Sequence, residues 1–438
     1  MSKGRWMAAA SGISKRRRRR AGARGAPLPL EHRILLTATL CLLATGAVMV
    51  FSASSSRSLL SGQGDGTGYL VRFVVYGGFG LVVMQMLARH GLELVQRVTP
   101  MLLGVAFVLL VAVKVPGIGV SVNGARRWIG AGPLQFQPSE LMKLALLLYS
   151  VHLLAARPLS DRRLKAVYKP LALVTGSACL LVLLQPDMGT ALVVAFTLVS
   201  VLIAAGVPLR HLAIVAVAGL ALVAVFALIA PYRRARLTSF LNPWAHAGST
   251  GFQAVQGQIA LGSGGLLGRG PGQSVQKIFY LPEAHTDFIL AVIGEELGAA
   301  GVCCLLFLYG LVSYAGLRAA KAARGSYASL LAVGLTSLIV SQALLNVFAV
   351  LGLAPLTGVP LPFVSYGASN LVVMLAAMGM LLHIASGRAV HLRSLRDPVG
   401  GARDALARES RRWKDERAAD SDRSRRDRRA RGARAGGR

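Results

Sequence analysis

Charge is scarce in this 438-residue chain, at 15% of all residues, against about 25% in a soluble domain. With 54% hydrophobic residues and a mean hydropathy of +0.56, that shortage excludes an ordinary water-soluble globule. Acids are the scarcest charges, 18 against 49 Lys and Arg. Cysteine is nearly missing too. Its four copies, Cys41, Cys179, Cys303 and Cys304, all fall inside apolar runs, where they read as small core residues, not as a disulfide framework or metal ligands. No G-x-x-x-x-G-K-[ST] stretch occurs, so the chain is not expected to hydrolyse ATP or to take a nucleotide cofactor.

Long apolar runs fill the space that charge leaves. Ten approach the roughly 20 residues needed to cross a bilayer core: 34–54, 69–87, 98–114, 139–156, 167–184, 188–206, 211–231, 287–317, 326–350 and 369–386. The expected fold is an all-α polytopic membrane protein of about ten transmembrane helices, with a large extracytoplasmic loop between helices 7 and 8. Three parts follow: a basic tail over 1–33, a ten-span membrane domain over 34–387, and a second basic tail over 388–438. The first tail holds ten Lys/Arg against one acid and the second seventeen against eight. Runs such as KRRRRR (15–20) would suit nucleic acid if they stood alone. Beside a ten-span bundle and without a nucleic-acid fold, they read as cytoplasmic segments held at anionic lipid. Both tails have too few apolar residues to fold. Arg157, Arg162, Arg163, Lys165, Arg318, Lys321 and Arg324 then lie on the cytoplasmic side, as the positive-inside rule requires. The first span is too long and lacks the cleavage site of a removable signal peptide.

Only nine acids lie between residues 34 and 387. Asp65, Glu93 and Asp161 fall in loops. Glu140, Asp187, Glu283, Asp287, Glu295 and Glu296 fall at or within span ends, mostly on the outer side. An acid at the centre of a membrane helix costs about 2.5–3.5 kcal/mol, so that concentration is the main functional signal.

Four stretches carry it. In NGARRWIGAGPLQFQPSELMK (123–143), Arg126 and Arg127 stand outside against the charge rule, and Trp128 suits an interface. Glu140 and Lys143, three apart, can pair on one helix face; a snorkelling ion pair beside an aromatic belt is the bland alternative. In QPDMGT (185–190), Asp187 follows a proline and helix capping accounts for it. The long outer loop contains PYRRARLTSFLNPW (231–244) and the glycine-rich SGGLLGRGPG (263–272), and offers Arg233, Arg234, Arg236, Arg269 and Lys277. Glycine backbone can approach an anion closely, though flexibility alone would explain it. This cationic outer face fits a pyrophosphate on a lipid carrier. LPEAHTDFILAVIGEELG (281–298) follows. Asp287 stands at a helix start, and Glu283 shares its face if the helix includes Pro282. A carboxylate kept ionised at a membrane cavity suits a general base for a sugar hydroxyl. Glu295 and Glu296 lie deeper, open to helix pairing or proton relay, and His285 reads as an interfacial hydrogen-bonder. In GVPLPFVSYGASN (358–370), Ser365, Tyr366 and Ser369 could bind sugar or satisfy their own backbone.

This ordered set of motifs across ten spans resembles the SEDS family (shape, elongation, division and sporulation), over roughly residues 33–387. AVIGEELG looks more like its cell-division branch than its elongation branch. SYGAS departs from the family's usual SYGGS or SYGGT by carrying Ala368. The resemblance implies a bacterial plasma-membrane peptidoglycan glycosyltransferase that polymerises lipid II on the outer face, at the septum, beside a class B penicillin-binding protein and other divisome proteins. Asp287 matches the family's essential acid. Arg126 and Lys143, with Lys277 or Arg269, would meet the departing pyrophosphate; Trp128, Glu140, Glu283, Ser365 and Tyr366 complete the expected site. A divalent cation, Mg or Mn, stays open, with no metal ligands assigned. Two rival classes use the same residues: a lipid II flippase with Asp287 in a proton relay, and a non-catalytic divisome scaffold.

Overall fold

The computed structural model describes residues 28–60, 66–122, 125–131, 134–156, 164–208, 210–213, 217, 219, 221, 239–278 and 280–387. The two arginine-rich tails, residues 233–236 and nearly all of the expected seventh span lie outside the described residues. Apolar runs become helices because a helix bonds its own backbone, which hydrocarbon cannot do. Ten are described: α1 Leu30–Leu60, α2 Gly68–Arg89, α3 Leu92–Ala112, α4 Pro138–Ala156, α5 Leu164–Leu184, α6 Met188–Ala204, α7 Phe252–Ser263, α8 Ile289–Ala322, α9 Ser326–Val350 and α10 Ala368–Ala385. Seven are long and apolar enough to span a membrane, and Lys169–Leu184 and Met188–Ala204 are shorter apolar helices. These nine coincide with nine of the ten expected spans. The first starts earlier than expected, taking in Glu31 and Arg33 from the supposed tail.

The centre of the bundle is α4, α9 and α10, whose residues are mostly buried. Small residues set how closely helices approach in lipid. A Cβ added at Gly80 of α2 would lie 2.5 Å from Leu375 of α10, and one at Gly379 would lie 2.4 Å from the Met84 carbonyl. Cys41, Cys303 and Cys304 are exposed on the outside of the bundle, not in its core as their apolar settings suggested; all four cysteines are free thiols.

Two features depart from the expected helices and loops. Residues 119–136 form a small antiparallel sheet, β1 Gly119–Val122, β2 Ala125–Ala131 and β3 Leu134–Phe136, in that order. Its strands are short, and a register slip between Val120 and Ser121 sets Ser121 opposite Arg126. Arg127 is the extra residue at that slip, standing between Arg126 and Trp128, which pair with Ser121 and Val120.

The second feature is a break in α8. Gly298 takes φ 67°, ψ −168° within its 34 residues. Residues 299–322 alone, at about 1.5 Å per residue, reach roughly 36 Å and can cross the roughly 30 Å core unaided. The stretch 289–297 is therefore spare, and the outer loop uses it. Its carbonyls at Glu295 and Glu296 accept from Arg269 N and Gly270 N at 3.0 Å, while Ala299 N and Ala300 N donate to the Gly265 and Leu266 carbonyls at 2.9 and 3.0 Å. The glycine-rich loop is thus clasped to the broken helix.

A Cβ at Gly298 would meet Gly268 N at 2.4 Å and the Leu266 carbonyl at 2.5 Å. Gly298→Ala should cost about 1–3 kcal/mol. It should lower the unfolding temperature in detergent and speed proteolysis within residues 264–278. Gly310→Ala, where a Cβ meets nothing within 4 Å, should do neither.

Candidate active site

Asp287 sits on a turn, not on a helix. Residues 282–288 are turn and α8 begins at Ile289, which corrects the expectation that Glu283 and Asp287 share a helix face. Glu283 takes φ 57°, a left-handed conformation that a helix does not admit. The two acids meet through Thr286 instead: its Oγ1 lies 3.1 Å from Asp287 Oδ1 and 3.3 Å from Glu283 Oε2. One hydroxyl hydrogen serves one carboxylate at a time. From α9, Asn346 Nδ2 donates to the Asp287 carbonyl and to the Val359 carbonyl, both at 2.8 Å. A Cβ at Gly358 would lie 3.7 Å from Asp287 Oδ2, so the GVPLP segment forms one wall beside the half-buried acid.

The SYG segment closes another side. Tyr366 N donates to the His285 carbonyl at 2.9 Å. The ring of Tyr69, at the start of α2, lies 4.3 Å from His285 and 5.1 Å from Tyr366. The Arg72 guanidinium lies 5.7 Å over the Tyr69 ring and bonds the Tyr366 hydroxyl. Burial pushes the Tyr366 phenol above its ordinary value, with Arg72 opposing. Of the serines left between sugar and backbone, Ser365 Oγ accepts from Leu361 N at 2.8 Å, and Ser369 Oγ accepts from Gln137 N at 2.9 Å. Both serve the fold here.

The other expected site residues are largely engaged within the protein. Glu140 and Lys143 pair at 2.8 Å, both buried, and Lys143 Nζ also donates to Gln342 Oε1 at 2.7 Å. Asp187 caps α6 through Thr190 N at 3.1 Å and also receives Ser139 Oγ at 2.9 Å and Gln137 Nε2 at 3.0 Å. Capping explains it, and the same carboxylate ties α4 to α6. Arg127 Nε donates to the Gln185 carbonyl at 3.0 Å. Arg126 is exposed and Trp128 is half-buried.

Glu295 and Glu296 grip the outer loop. Glu295 accepts from Ser274 Oγ at 2.5 Å and Val275 N at 3.0 Å, with Arg269 NH1 at 3.4 Å. Glu296 pairs with Lys277 Nζ at 2.7 Å and accepts from Ser52 Oγ at 2.6 Å and Gly272 N at 2.9 Å. Lys277 is 2% exposed, while the Arg269 side chain stays 43% exposed. Their depth in α8 suggested helix pairing or proton relay; Glu296 does pair α8 with α1 through Ser52, and the other partners are loop groups.

The sequence analysis passed over Tyr69, Arg72, Gln342 and Asn346. Gln342 and Asn346 carried a legible signal, two amides four residues apart within an apolar span. Tyr69 and Arg72 carried none, because a helix end is an ordinary place for both. Among the described residues no group of three or more His, Cys, Asp or Glu converges. A hard cation held by one or two carboxylates and by substrate phosphate oxygens would find Glu283 Oε2 and Asp287 Oδ1 both within 3.3 Å of the Thr286 hydroxyl.

Comparison with known proteins converges on one group. A family model described as cell cycle protein, FtsW/RodA/SpoVE, matches residues 33–389. Stage V sporulation protein E of Bacillus subtilis (strain 168) is 38% identical over 351 residues, covering 80% of this chain and 96% of that protein. The probable peptidoglycan glycosyltransferase FtsW of Coxiella burnetii is 40% identical over 359 residues, covering 80% and 95%. A solved peptidoglycan synthase complex, described as coordinating polymerization and crosslinking, contains a chain 32% identical with a TM-score of 0.67, covering 82% and 98%. The rod shape determining protein RodA of Thermus thermophilus is 32% identical with a TM-score of 0.61, covering 82% and 97%.

Breaking a buried pair leaves a charge with no counterpart and costs about 3–5 kcal/mol. Lys277→Met should therefore lower the detergent unfolding temperature sharply. Adding Glu296→Gln should recover part of that loss, and a double-mutant cycle on unfolding would measure the coupling.

Proposed function

The chain belongs to the SEDS family of FtsW/RodA/SpoVE cell cycle proteins, and from that premise we propose its substrate, its chemistry, its partner and its place. It is a peptidoglycan glycosyltransferase and a multi-pass protein of the bacterial cell membrane. It polymerises lipid II. Asp287 takes the proton from the GlcNAc 4-hydroxyl of an incoming lipid II, and that oxygen bonds to the anomeric carbon of the growing strand. The bond to the α-linked polyprenyl pyrophosphate breaks as the new one forms, and inversion yields the β-1,4 linkage. The donor carries its own activated bond, so no nucleotide is needed.

The observation that carries this reading is the hold on Asp287. Its carboxylate is half-buried on a turn that Asn346 fixes from one side and the Tyr366–His285 bond from another. A base acts only within hydrogen-bond reach of its proton, and a pinned turn keeps that reach constant. Arg126 and Arg269 retain exposed guanidinium groups for the leaving pyrophosphate. Lys143 and Lys277 reach it only by leaving Glu140 and Glu296. Trp128 and Tyr366 offer rings to sugar or lipid. A bound Mg or Mn would neutralise charge on the pyrophosphate.

Cell division is the role that AVIGEELG and the FtsW relatives support. The likeness to a sporulation protein favours a second reading, septal synthesis during sporulation. The partner is a class B penicillin-binding protein, on the model of the solved synthase complex, with both termini cytoplasmic.

Lipid II polymerisation by purified protein with its partner should fall about 10²–10⁴-fold in Asp287→Asn, with lipid II binding kept. Equal activity would make Asp287 structural. If the parent protein makes no glycan yet moves lipid II across liposomes, the flippase reading replaces this one; if it does neither, the scaffold reading does.

A further inference from the structure

Gln342 and Asn346 are amides within a membrane-spanning helix, used by neither the resemblance nor the reaction. They lie four apart, on one face of α9, and are 0% and 2% exposed. A buried amide is costly unless it is bonded. Gln342 accepts from Lys143 Nζ at 2.7 Å and donates from Nε2 to the Pro360 carbonyl and Asn370 Oδ1, both at 2.8 Å. One turn on, Asn346 donates to the Asp287 and Val359 carbonyls. Asn346 Oδ1 is buried and accepts no hydrogen bond within the protein. An apolar side chain would be spared that unpaired oxygen. What asparagine supplies here is the pair of N–H donors, and they join the acid's own backbone to the segment that walls its carboxylate.

We propose that Asn346 is a positioning residue for Asp287, and that Gln342 ties the Glu140–Lys143 ion pair to the same wall. One face of α9 then sets both the acid and the buried ammonium against residues 358–361. The proposal rests on Asp287 being the general base.

The test uses the full chain with its partner transpeptidase and lipid II. Asn346→Asp keeps size and removes both donors while the new carboxyl is ionised; protonation restores one. Misplacing a reacting group by an ångström can cost about 10²-fold. At about pH 8, kcat should fall roughly 10–100-fold while KM for lipid II stays within about twofold. Burial raises the pKa of a carboxyl, so the ratio of variant to parent kcat should climb as pH falls toward about 6. Asn346→Leu should lose kcat without that climb, and Ser341→Ala, whose hydroxyl bonds the Leu338 carbonyl on the same helix, should match the parent. Parent-like kcat in Asn346→Asp, or a ratio flat with pH beside a lowered unfolding temperature, would overturn the proposal. If Asn346→Leu does not fold, the ratio from the isosteric variant still decides. Asp287→Asn in the same assay separates the two failures. If it is active, the general-base reading falls; if it is inactive while Asn346→Asp matches the parent, only the positioning role falls.

Discussion

Hydrocarbon provides no hydrogen bonds, so every charge buried in this bundle has to be answered from within the protein. That constraint organises the described structure. Glu140 meets Lys143, Glu296 meets Lys277, and Asp187 and Glu295 collect hydroxyl and backbone donors. These groups join elements far apart in sequence: α4 to α6 through Asp187, α4 to α9 through Lys143, α1 and the glycine-rich loop to α8 through Glu296. The acids that looked like isolated costs in an apolar chain are the joints between its elements.

Against this frame the groups left for substrate stand out by exposure. Lys143 and Lys277 are buried against Glu140 and Glu296, so they shape the local field from within the protein. Arg126 and Arg72 are exposed, on β2 and on the first turns of α2. Asp287 lies between these classes: its backbone is fixed by Asn346 while its carboxylate stays half-buried. A fixed backbone beneath a half-buried acid, with exposed cations at the periphery, suits chemistry in which the base must hold its place and the leaving charge must depart.

Much of this was legible in the sequence. Apolar length gave nine described spans to within a few residues, because hydrocarbon allows so few alternatives to a helix. The concentration of acids at span ends singled out carboxylates that the structure ties to distant elements. Capping by Asp187 followed from its place after Pro186. Pairing across long separations was not legible: nothing local tells Lys277 that Glu296 and Ser52 await it. The turn at Asp287 was missed because Glu283 adopts a left-handed backbone that its residue type does not announce. The three-stranded sheet was missed because two of its strands have only four and three residues and the longest carries Arg126 and Arg127.

The break at Gly298 also bears on bilayer thickness. A spanning helix meets thicker or thinner lipid by tilting, and an unbroken 34-residue rod would swing its outer end as it did so. Here the break separates the spanning length from the stretch that leads to Asp287, and the clasped loop bonds the helix on both sides of the glycine while α9 bonds the Asp287 backbone. The position of the acid is then set by several elements together and not by the tilt of one helix.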